Sequence, residues 1–426
     1  MASTRDRIRN RLLDLLSEDE PASTPQKNDK SKADPIKAAM RRFISNVERA
    51  LGGDADAVPV GALHVVGFTK LRERLGDKWA PLQEHLQDLA AHLIQDHLPE
   101  GSTYVPYGDS FLLVLPDIPE DEARMMCAWF AAELERQILG EENTGDIEVR
   151  SVVRLVDRQD VAQDDLADRV LDGIIEGSDE EPPLPEQPIR LAYQPMLDVR
   201  KEAVSAYQCL PSRISRYGRL MLGDEALVSR SGQPDFTKLD RHAVNKAVKD
   251  LFRMHDEGKK FFLIIPVHFE TLAGQVTRTA YYDLCKTLPS NLRQFALYEL
   301  IGLPEGIPAG RVREVASLLK HYGRAVFARV PVETANLSAV KDGGCIGAGF
   351  DASEVPLGLP GAMRKFTAAT AAAGLRSFVY NVRDAKSLVT ATGAGFAFVG
   401  GDAVGRVIDH PKDVYKLRIK PLDEEG

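Results

Sequence analysis

Residues 189–410 repeat the order strand then helix, and this repetition limits the fold more than any other feature of the sequence. Short apolar runs such as FFLIIPV indicate buried strands, and periodic segments such as DRHAVNKAVKDLF indicate amphipathic helices. Strands that alternate with helices over this length predict a parallel TIM-type barrel with its helices outside. In such barrels the chemistry lies at the carboxyl ends of the strands.

The predicted order in this region is strands LAYQPML and AVSAYQCL, helix DRHAVNKAVKDLF, strands FFLIIPV and FALYELI, helix GRVREVASLLKHYG, strands RAVFARV and GCIGAGF, helix PGAMRKFTAATAAAG, strand RSFVYNV, helix DAKSLVTATG and strand FAFVGGD.

The chain before this barrel follows a different order. From residue 58 it predicts strand VGALHVVGF, helix LQEHLQDLAAHLIQDHL, hairpin TYVPYGDSFLLVLP, helix EDEARMMCAWFAAELERQIL and strand EVRSVVRLV. We therefore predict an α/β domain at 58–176, preceded by a connecting helix at 36–57. The acidic, proline-rich segment at 177–188 predicts a linker, and the barrel domain is predicted at 189–420.

The first 35 residues predict a short amphipathic helix and a polar, proline-containing flexible linker. Its apolar face consists of Ile8, Leu12, Leu15 and Leu16. We interpret this face as a docking element for a protein partner. Two alternatives are that it packs on its own domain or pairs in a homodimer, and a third is contact with a membrane surface, because four arginines flank the leucines.

The composition excludes several classes of function. A formal net charge of -9 and a pI near 5.6 leave no basic footprint for nucleic acid. The four scattered cysteines predict neither a zinc site nor a disulfide framework, and neither a signal peptide nor a transmembrane run is evident. We expect a cytoplasmic protein without a cofactor.

Eight segments of the barrel region occur in the order of known landmarks. They are YQPML, AYQCL, KLDRHAV, LYELI, GRAVFARV, CIGAGFD, GLRSFVYNV and GFAFVGGDAVG. On these segments the second domain resembles the EAL family of cyclic di-GMP phosphodiesterases. The resemblance implies a TIM-type barrel and hydrolysis through two Mg²⁺ or Mn²⁺ ions held by hard oxygen ligands.

The same resemblance implies that this site is degenerate. Gln208 stands for the signature glutamate, Pro266 for an asparagine, Arg329 and Val330 for an aspartate pair, Gly349 for a lysine, Tyr380 for a glutamate and Gly400 for a glutamine. Of the carboxylates, Glu299 and Asp351 are retained. Because a cation replaces two anions, we predict that this domain neither binds the metal pair nor catalyses hydrolysis.

Nucleotide binding could outlast catalysis, since phosphates and guanines also contact residues away from the metals. Gln194 is retained, and Arg213 and Arg329 are the candidates for phosphate contact. The arginine expected after the signature falls at Ser212, one place before Arg213, and such a shift along a strand points the side chain to the other face.

The first domain resembles a GGDEF domain, which implies a nucleotidyl-cyclase or ferredoxin-like fold. The signature hairpin reads Tyr107, Gly108, Asp109, Ser110 and Phe111. The tyrosine ring would fill the space that a glycine leaves for the nucleotide, and the metal-binding aspartate of the first strand falls at His64 or Val66. We predict that this domain does not cyclise GTP, and that Gly108 and Asp109 serve the turn.

Three hypotheses follow. The first is a catalytically inactive GGDEF–EAL tandem that acts through protein contacts as a scaffold or adaptor in bacterial motility, attachment or cell-cycle control. The second is a receptor that binds cyclic di-GMP without hydrolysing it. The third is a residual phosphodiesterase that uses Glu299 and Asp351. EAL domains commonly pair, so the resemblance also raises a homodimer.

Overall fold

The computed structural model describes residues 33–52, 56–66, 79–139, 148–161, 166, 169–171, 189–215, 218, 220–223, 226, 235–333, 337–355 and 358–419. The predicted N-terminal docking helix, with Ile8, Leu12, Leu15 and Leu16, and the linker at 177–188 lie outside these ranges. Within the ranges, the helices are all too short or too polar to cross a membrane. The chain divides into two compact units, Met1–Gln187 with Ile214–Met221 and Pro188–Arg213 with Leu222–Gly426.

The first unit has the element order that its sequence predicts. Its elements are α1 (Ala33–Leu51), β1 (Ala57–Val66), α2 (Trp79–His97), β2 (Thr103–Tyr107), β3 (Ser110–Val114), α3 (Glu120–Leu139), β4 (Glu148–Asp157) and α4 (Arg158–Val161). The strands pair antiparallel in the order β2-β3-β1-β4. This β-α-β-β-α-β connectivity is that of ferredoxin-like folds.

Within the connecting segment predicted at 36–57, the predicted helix IKAAMRRFISNVERAL ends where helix α1 ends, at Leu51, but α1 begins earlier, at Ala33. It buries Phe43 and Val47 in one apolar cluster with Val60 and Leu112 of the sheet. Helix α3 packs against β1 and β4. Every residue from Met125 to Ala131 is buried, so the middle of this helix is covered on all sides and not only on the face that meets the sheet.

The second unit is built from more strands and helices. Its elements are β5 (Arg190–Asp198), β6 (Ala203–Ile214), α5 (Phe236–Asp256), β8 (Phe262–His268), α6 (Phe269–Ala273), α7 (Gln275–Lys286), β9 (Ala296–Ile301), α8 (Ala309–Leu319), β10 (Ala325–Arg329), α9 (Ser338–Asp342), β11 (Gly347–Asp351), α10 (Leu359–Ala372), β12 (Arg376–Tyr380), α11 (Ala385–Gly393), β13 (Phe398–Gly400) and β14 (Tyr415–Lys416). The short strand β7 (Leu220–Leu222) falls at the division, with Leu220 and Met221 in the first unit and Leu222 in the second.

Eight of these strands form a closed barrel, as the alternation predicts. The order β6-β5-β13-β12-β11-β10-β9-β8 closes through pairing between β8 and β6. One layer of apolar side chains fills the space between strands and helices. A second cluster, which includes Met196, Phe327, Phe378 and Tyr380, contains strand residues only. The barrel is therefore a packed core and not a pore.

The prediction of an all-parallel barrel is wrong at its first strand. Strand β5 runs antiparallel to both neighbours, β6 and β13. Only residues 199–202 connect β5 to β6, and Glu202 takes a positive φ of 47° in this turn. A parallel connection needs a crossover of about a dozen residues or more, so this short link permits only a hairpin.

The interval between β8 and β9 also differs from the sequence prediction, which places no helix there. Two helices, α6 and α7, fill it, and α7 buries Tyr281, Tyr282 and Cys285. The sequence QVTRTAYYDLCK is rich in β-branched and aromatic residues, which have low helix propensity. Burial of one face against the barrel outweighs that preference.

Candidate functional site

The positions that the resemblance assigns to the metal site come together at one end of the barrel. We call this end, where the parallel strands terminate, the barrel mouth. Arg329, Asp351 and Tyr380 are the last residues of β10, β11 and β12, and Glu299 lies two residues before the end of β9. Strand pairing places Arg329 beside Gly349, and Asp351 beside Tyr380. The register between neighbouring strands thus brings together, at the barrel mouth, side chains that are far apart in the sequence.

Glu299 and Arg329 form a two-point ion pair in the mouth. The Nε of Arg329 donates to one carboxylate oxygen at 3.2 Å, and its Nη2 donates to the other at 2.9 Å. The Glu299 side chain is 1% exposed, whereas that of Arg329 is 23% exposed. Both carboxylate oxygens therefore have a cationic donor, in the parallel fork that makes such pairs strong.

Tyr380 completes this group. Its ring lies 4.7 Å from the guanidinium carbon of Arg329, and its hydroxyl hydrogen-bonds to Glu299. Burial raises the pKa of Tyr380 well above its ordinary value, and the nearby Glu299 charge adds to the effect. The phenol is therefore neutral and donates its hydrogen bond.

The electrostatics of Arg329 follow from the same neighbours. Burial acts to lower the pKa of Arg329, but the charge and hydrogen bonds of Glu299 more than offset it, so the pKa is raised. The guanidinium stays charged at any pH at which the protein is folded. The barrel mouth thus holds a permanent cation.

The second retained carboxylate, Asp351, also has protein partners. One of its oxygens accepts from the backbone N–H of Ser353 at 2.9 Å and from its hydroxyl at 2.6 Å. The other accepts from the amide of Asn381 at 2.6 Å. Asp351 therefore caps the short helical turn Ala352–Glu354, as aspartate does at many helix starts.

Bulky neighbours occupy the space of the side chains missing at Gly349 and Gly400. A Cβ at Gly349 would lie 2.8 Å from the Cβ of Phe378 and 3.2 Å from the Tyr380 ring. A Cβ at Gly400 would collide with the sulfur of Met196. These glycines are therefore part of the packing and leave no vacant pocket for a ligand.

The remaining predicted positions lie on neighbouring strands. Gln208 of β6 pairs with Gln194 of β5 and is 4% exposed. Pro266 lies within β8, before its end, and pairs with Glu299. Val330 packs in the apolar layer between strands and helices, and its backbone N–H donates to the carbonyl of Gly349 at 2.9 Å.

Gln194 and Arg329, two of the predicted nucleotide-binding residues, have hydrogen-bond partners within the protein. The amide of Gln194 donates to the carbonyl of Gly405 at 2.5 Å, and Arg329 is held by Glu299. Arg213 is half-buried near the end of β6, one residue after the buried Ser212.

The two-metal arrangement that the resemblance implies does not fit these residues. Glu299 is bound on both oxygens by a cation, and Asp351 is bound on both oxygens by N–H and O–H donors. Within the part of the chain that the structure describes, no three His, Cys, Asp or Glu side chains cluster as a metal site would require. A divalent ion would need acids that are free to coordinate it.

The hairpin of the first unit is the other predicted site. Of the two central residues of its turn, only Gly108 has a positive φ, 61°, which is the pattern of a type II′ turn with glycine first. The side chain of Asp109 accepts from the amide of Gln83 at 3.3 Å, and Phe111 is 4% exposed. These contacts agree with the turn role that the sequence predicts.

A polar pair lies next to this turn. His64 of β1 is the cross-strand neighbour of Ser110 of β3, and its Nδ1 lies 2.8 Å from the serine hydroxyl. Burial lowers the pKa of His64, Asp109 opposes this effect, and Arg150 adds to it. His64 and Ser110, which fall where the resemblance to a cyclase implies acidic residues, therefore hydrogen-bond to each other.

The sequence analysis missed the partners of the retained acids. Neither the stacking of Tyr380 on Arg329 nor the contacts of Asn381 and Ser353 with Asp351 was predicted. One signal was available, because an arginine and a glutamate stand at neighbouring strand ends. The mouth also contains a buried Asp240, which accepts from the His268 ring at 2.8 Å.

No protein-family model matches this chain, and no curated protein matches it. Several solved structures are similar. The Vibrio cholerae LapD S helix-GGDEF-EAL protein in its apo form is 10% identical, with 94% of this chain and 99% of that chain covered and a TM-score of 0.41. The Xanthomonas citri FimX EAL domain in complex with c-di-GMP is 16% identical, with 57% and 92% covered and a TM-score of 0.40.

The Bacillus subtilis YkuI protein, which has an EAL domain and was solved with c-di-GMP and calcium, is 11% identical with a TM-score of 0.44. The match covers 53% of this chain and 57% of that chain, so this chain spans little more than half of that protein. Similarities of this strength, below 0.5 in TM-score, do not by themselves identify a function.

Proposed function

We propose that this chain is a non-catalytic protein of cyclic di-GMP signalling that resembles GGDEF–EAL tandem proteins and acts through contacts with protein partners, as a scaffold or adaptor. Motility, surface attachment and cell-cycle control are the processes with which such proteins are associated. The proposal combines the order of the sequence landmarks with the chemistry of the barrel mouth.

One observation carries the proposal: both retained carboxylates are satisfied within the protein. Glu299 is neutralised by Arg329, and Asp351 accepts from Ser353 and Asn381. A two-metal phosphodiesterase needs such oxygens to hold ions that activate water and neutralise phosphate charge. The cation that Glu299 binds here is the guanidinium of Arg329, which cannot lower the pKa of a bound water as a divalent metal does.

The hairpin of the first unit supports the same interpretation. His64 and Ser110 form a neutral pair, and neither side chain offers a carboxylate to a magnesium-bound triphosphate. Because acids are missing at both sites, we do not expect the chain to keep either activity, the cyclisation of GTP or the hydrolysis of cyclic di-GMP.

The experiment that tests this proposal is a turnover assay on the purified full chain with cyclic di-GMP and GTP, each with Mg²⁺ and with Mn²⁺. We expect no linear dinucleotide and no cyclised product above the level of a heat-denatured sample. Turnover that depends on metal and disappears in a Glu299→Gln variant would overturn the proposal in favour of a residual enzyme.

Calorimetric titration with cyclic di-GMP separates an adaptor from a receptor. We expect no binding heat, because the polar groups of Gln194 and Arg329 already have protein partners. Saturable binding that is lost in an Arg213→Ala variant would establish the receptor hypothesis instead. The exposed Arg376 provides a matched control, since its replacement by alanine should leave either result unchanged.

A further inference from the structure

The metal site implied by the resemblance and the residues at the barrel mouth disagree, and the manner of the disagreement is informative. The residues that replace the metal ligands are not unrelated to one another. Four of them, Glu299, Arg329, Gly349 and Tyr380, fit one another across four consecutive strands, β9 to β12. We call these four residues the mouth cluster.

We infer that Arg329 is a tethered internal cation that permanently takes the place of a divalent ion at Glu299, so that the barrel mouth is stable without metal. This inference rests on the proposed function, since it applies to a barrel that does not use metal for hydrolysis. It adds that the site has been rebuilt as a structural element.

The geometry of the ion pair carries the first step. Glu299 is almost fully buried, and a buried carboxylate without a compensating charge is costly. Arg329 supplies that charge in a two-point contact at 2.9 and 3.2 Å, and the Tyr380 hydroxyl adds a third donor. Three donors on one carboxylate satisfy it as fully as a metal would.

Gly349 carries the second step. It lies on β11 between the strands of Arg329 and Tyr380, and pairs directly with Arg329. A Cβ at this position would press on Phe378 and on the Tyr380 ring. The tyrosine on which the guanidinium stacks therefore requires a glycine beside it, and a lysine at 349 would exclude this arrangement both by size and by charge.

The third step is mutual dependence. Removal of Arg329 leaves a buried acid, and removal of Glu299 leaves a cation that has lost its two-point contact and keeps the Tyr380 ring and the charge of Asp351. Breaking one side of a buried pair is far more destabilising than replacing both sides together with neutral groups. This asymmetry distinguishes a structural internal cation from an arginine that merely lies near an acid.

The test measures hydrogen exchange by mass spectrometry on peptides from β9 and β10 in the full chain. Both tryptophans of the sequence, Trp79 and Trp129, belong to the first unit, so tryptophan fluorescence monitors that unit as an internal control. We compare the wild type, Arg329→Met, the double variant Glu299→Gln with Arg329→Met, and Arg376→Met as a control at an exposed position.

We expect wild-type exchange in β9 and β10 to be the same in EDTA, Mg²⁺ and Mn²⁺ at matched ionic strength. Arg329→Met should speed exchange there by roughly 100-fold or more, and the double variant should recover at least about tenfold of that loss. Arg376→Met should behave like the wild type.

Three results would overturn the inference: added protection of the wild type by Mg²⁺ or Mn²⁺, a double variant no better protected than Arg329→Met, or a double variant that fails to fold while Arg376→Met folds. If Arg329→Met alone does not fold, recovery of folding in the double variant supports the inference.

Metal-dependent protection without turnover contradicts this inference alone, whereas turnover without metal-dependent protection contradicts only the proposed function.

Discussion

The two candidate sites have lost their metal-ligand acids in different chemical ways. In the first unit, the half-buried His64 and the buried Ser110 form a neutral hydrogen bond between two strands. In the second unit, Glu299 and Arg329 form a charged pair in the packed barrel mouth. Loss of one member of a buried neutral hydrogen bond costs about 1–3 kcal/mol, whereas loss of one member of a buried ion pair costs about 3–5 kcal/mol, because it leaves an uncompensated charge.

This difference teaches that a site without catalytic residues is not necessarily free of constraint. The hairpin of the first unit keeps its shape through turn geometry at Gly108, which any small polar neighbours would allow. The barrel mouth keeps its shape through a set of side chains that must change together. We therefore expect mutations to have unequal effects at the two sites.

The largest expected effect is at the acid of the barrel pair. Glu299→Gln should destabilise the second unit by about 3 kcal/mol, because it leaves the guanidinium with a neutral partner in a nearly closed environment. Hydrogen exchange in β9 and β10 measures the change. Glu305→Gln, at an exposed acid of the same barrel, is the control and should have no effect. Equal protection in the two variants would show that the ion pair has no structural role.

The next effect concerns Gly349, which lies on the strand between those of Arg329 and Tyr380. Gly349→Ala should cost about 1–3 kcal/mol, since its new methyl group meets Phe378 at 2.8 Å. Gly361→Ala in α10 is the matched control, because a Cβ at Gly361 meets nothing within 4 Å. Its expected effect is neutral or slightly stabilising. Similar stabilities of the two alanine variants would mean that the mouth can relax around an added side chain.

A smaller effect is expected at the neutral pair of the first unit. Ser110→Ala should cost about 1 kcal/mol, the typical contribution of one hydrogen bond. Urea denaturation followed by tryptophan fluorescence reports this unit selectively, because both tryptophans lie in it. The control is Ser102→Ala, since the buried Ser102 hydroxyl has no hydrogen-bond partner among the described residues. A loss above 3 kcal/mol at Ser110 would make this pair as critical as the ion pair.

The sequence predicted those parts of the fold that depend on local pattern. Apolar runs located the barrel strands, and the alternation of strands and helices predicted a closed barrel. The predicted parallel direction of β5 was wrong because the prediction used the apolar pattern alone. It did not take into account that residues 199–202 are too few for a parallel connection to β6. Helix α7 was missed because its threonines and tyrosines disfavour a helix until the barrel surface buries them.

The sequence could also identify the residues of the barrel mouth, but not their contacts. Arg329 was predicted to contact phosphate, and whether it does so stays untested, but the structure pairs it with Glu299. That pairing depends on the register between β9 and β10, which lie about one helical crossover apart in the chain. Register of this kind is fixed by packing across the whole barrel and is invisible in the residues of a single strand.

The smallest expected effect is a pH dependence of the first unit, which its own tryptophans report separately from the second unit. Burial lowers the pKa of His64, so the unfolded chain takes up a proton at higher pH than the folded unit does. Stability should therefore decline as the pH falls below the ordinary histidine value of about 6.5, and should be fully present above it. Arg329 contributes no such change, because the charge and hydrogen bonds of Glu299 raise its pKa further above this range.

Urea midpoints of the wild type and His64→Gln across this pH window provide the measurement. The midpoint and not the fluorescence intensity must be followed, because the His97 ring lies 4.9 Å from Trp129 and its protonation can change the emission. We expect the wild-type midpoint to fall with decreasing pH more steeply than that of His64→Gln. If the midpoints of the two proteins fall equally with pH, then His64 is protonated as easily in the folded unit as in the unfolded chain. In that case a charged histidine beside Asp109 would replace the neutral pair at low pH.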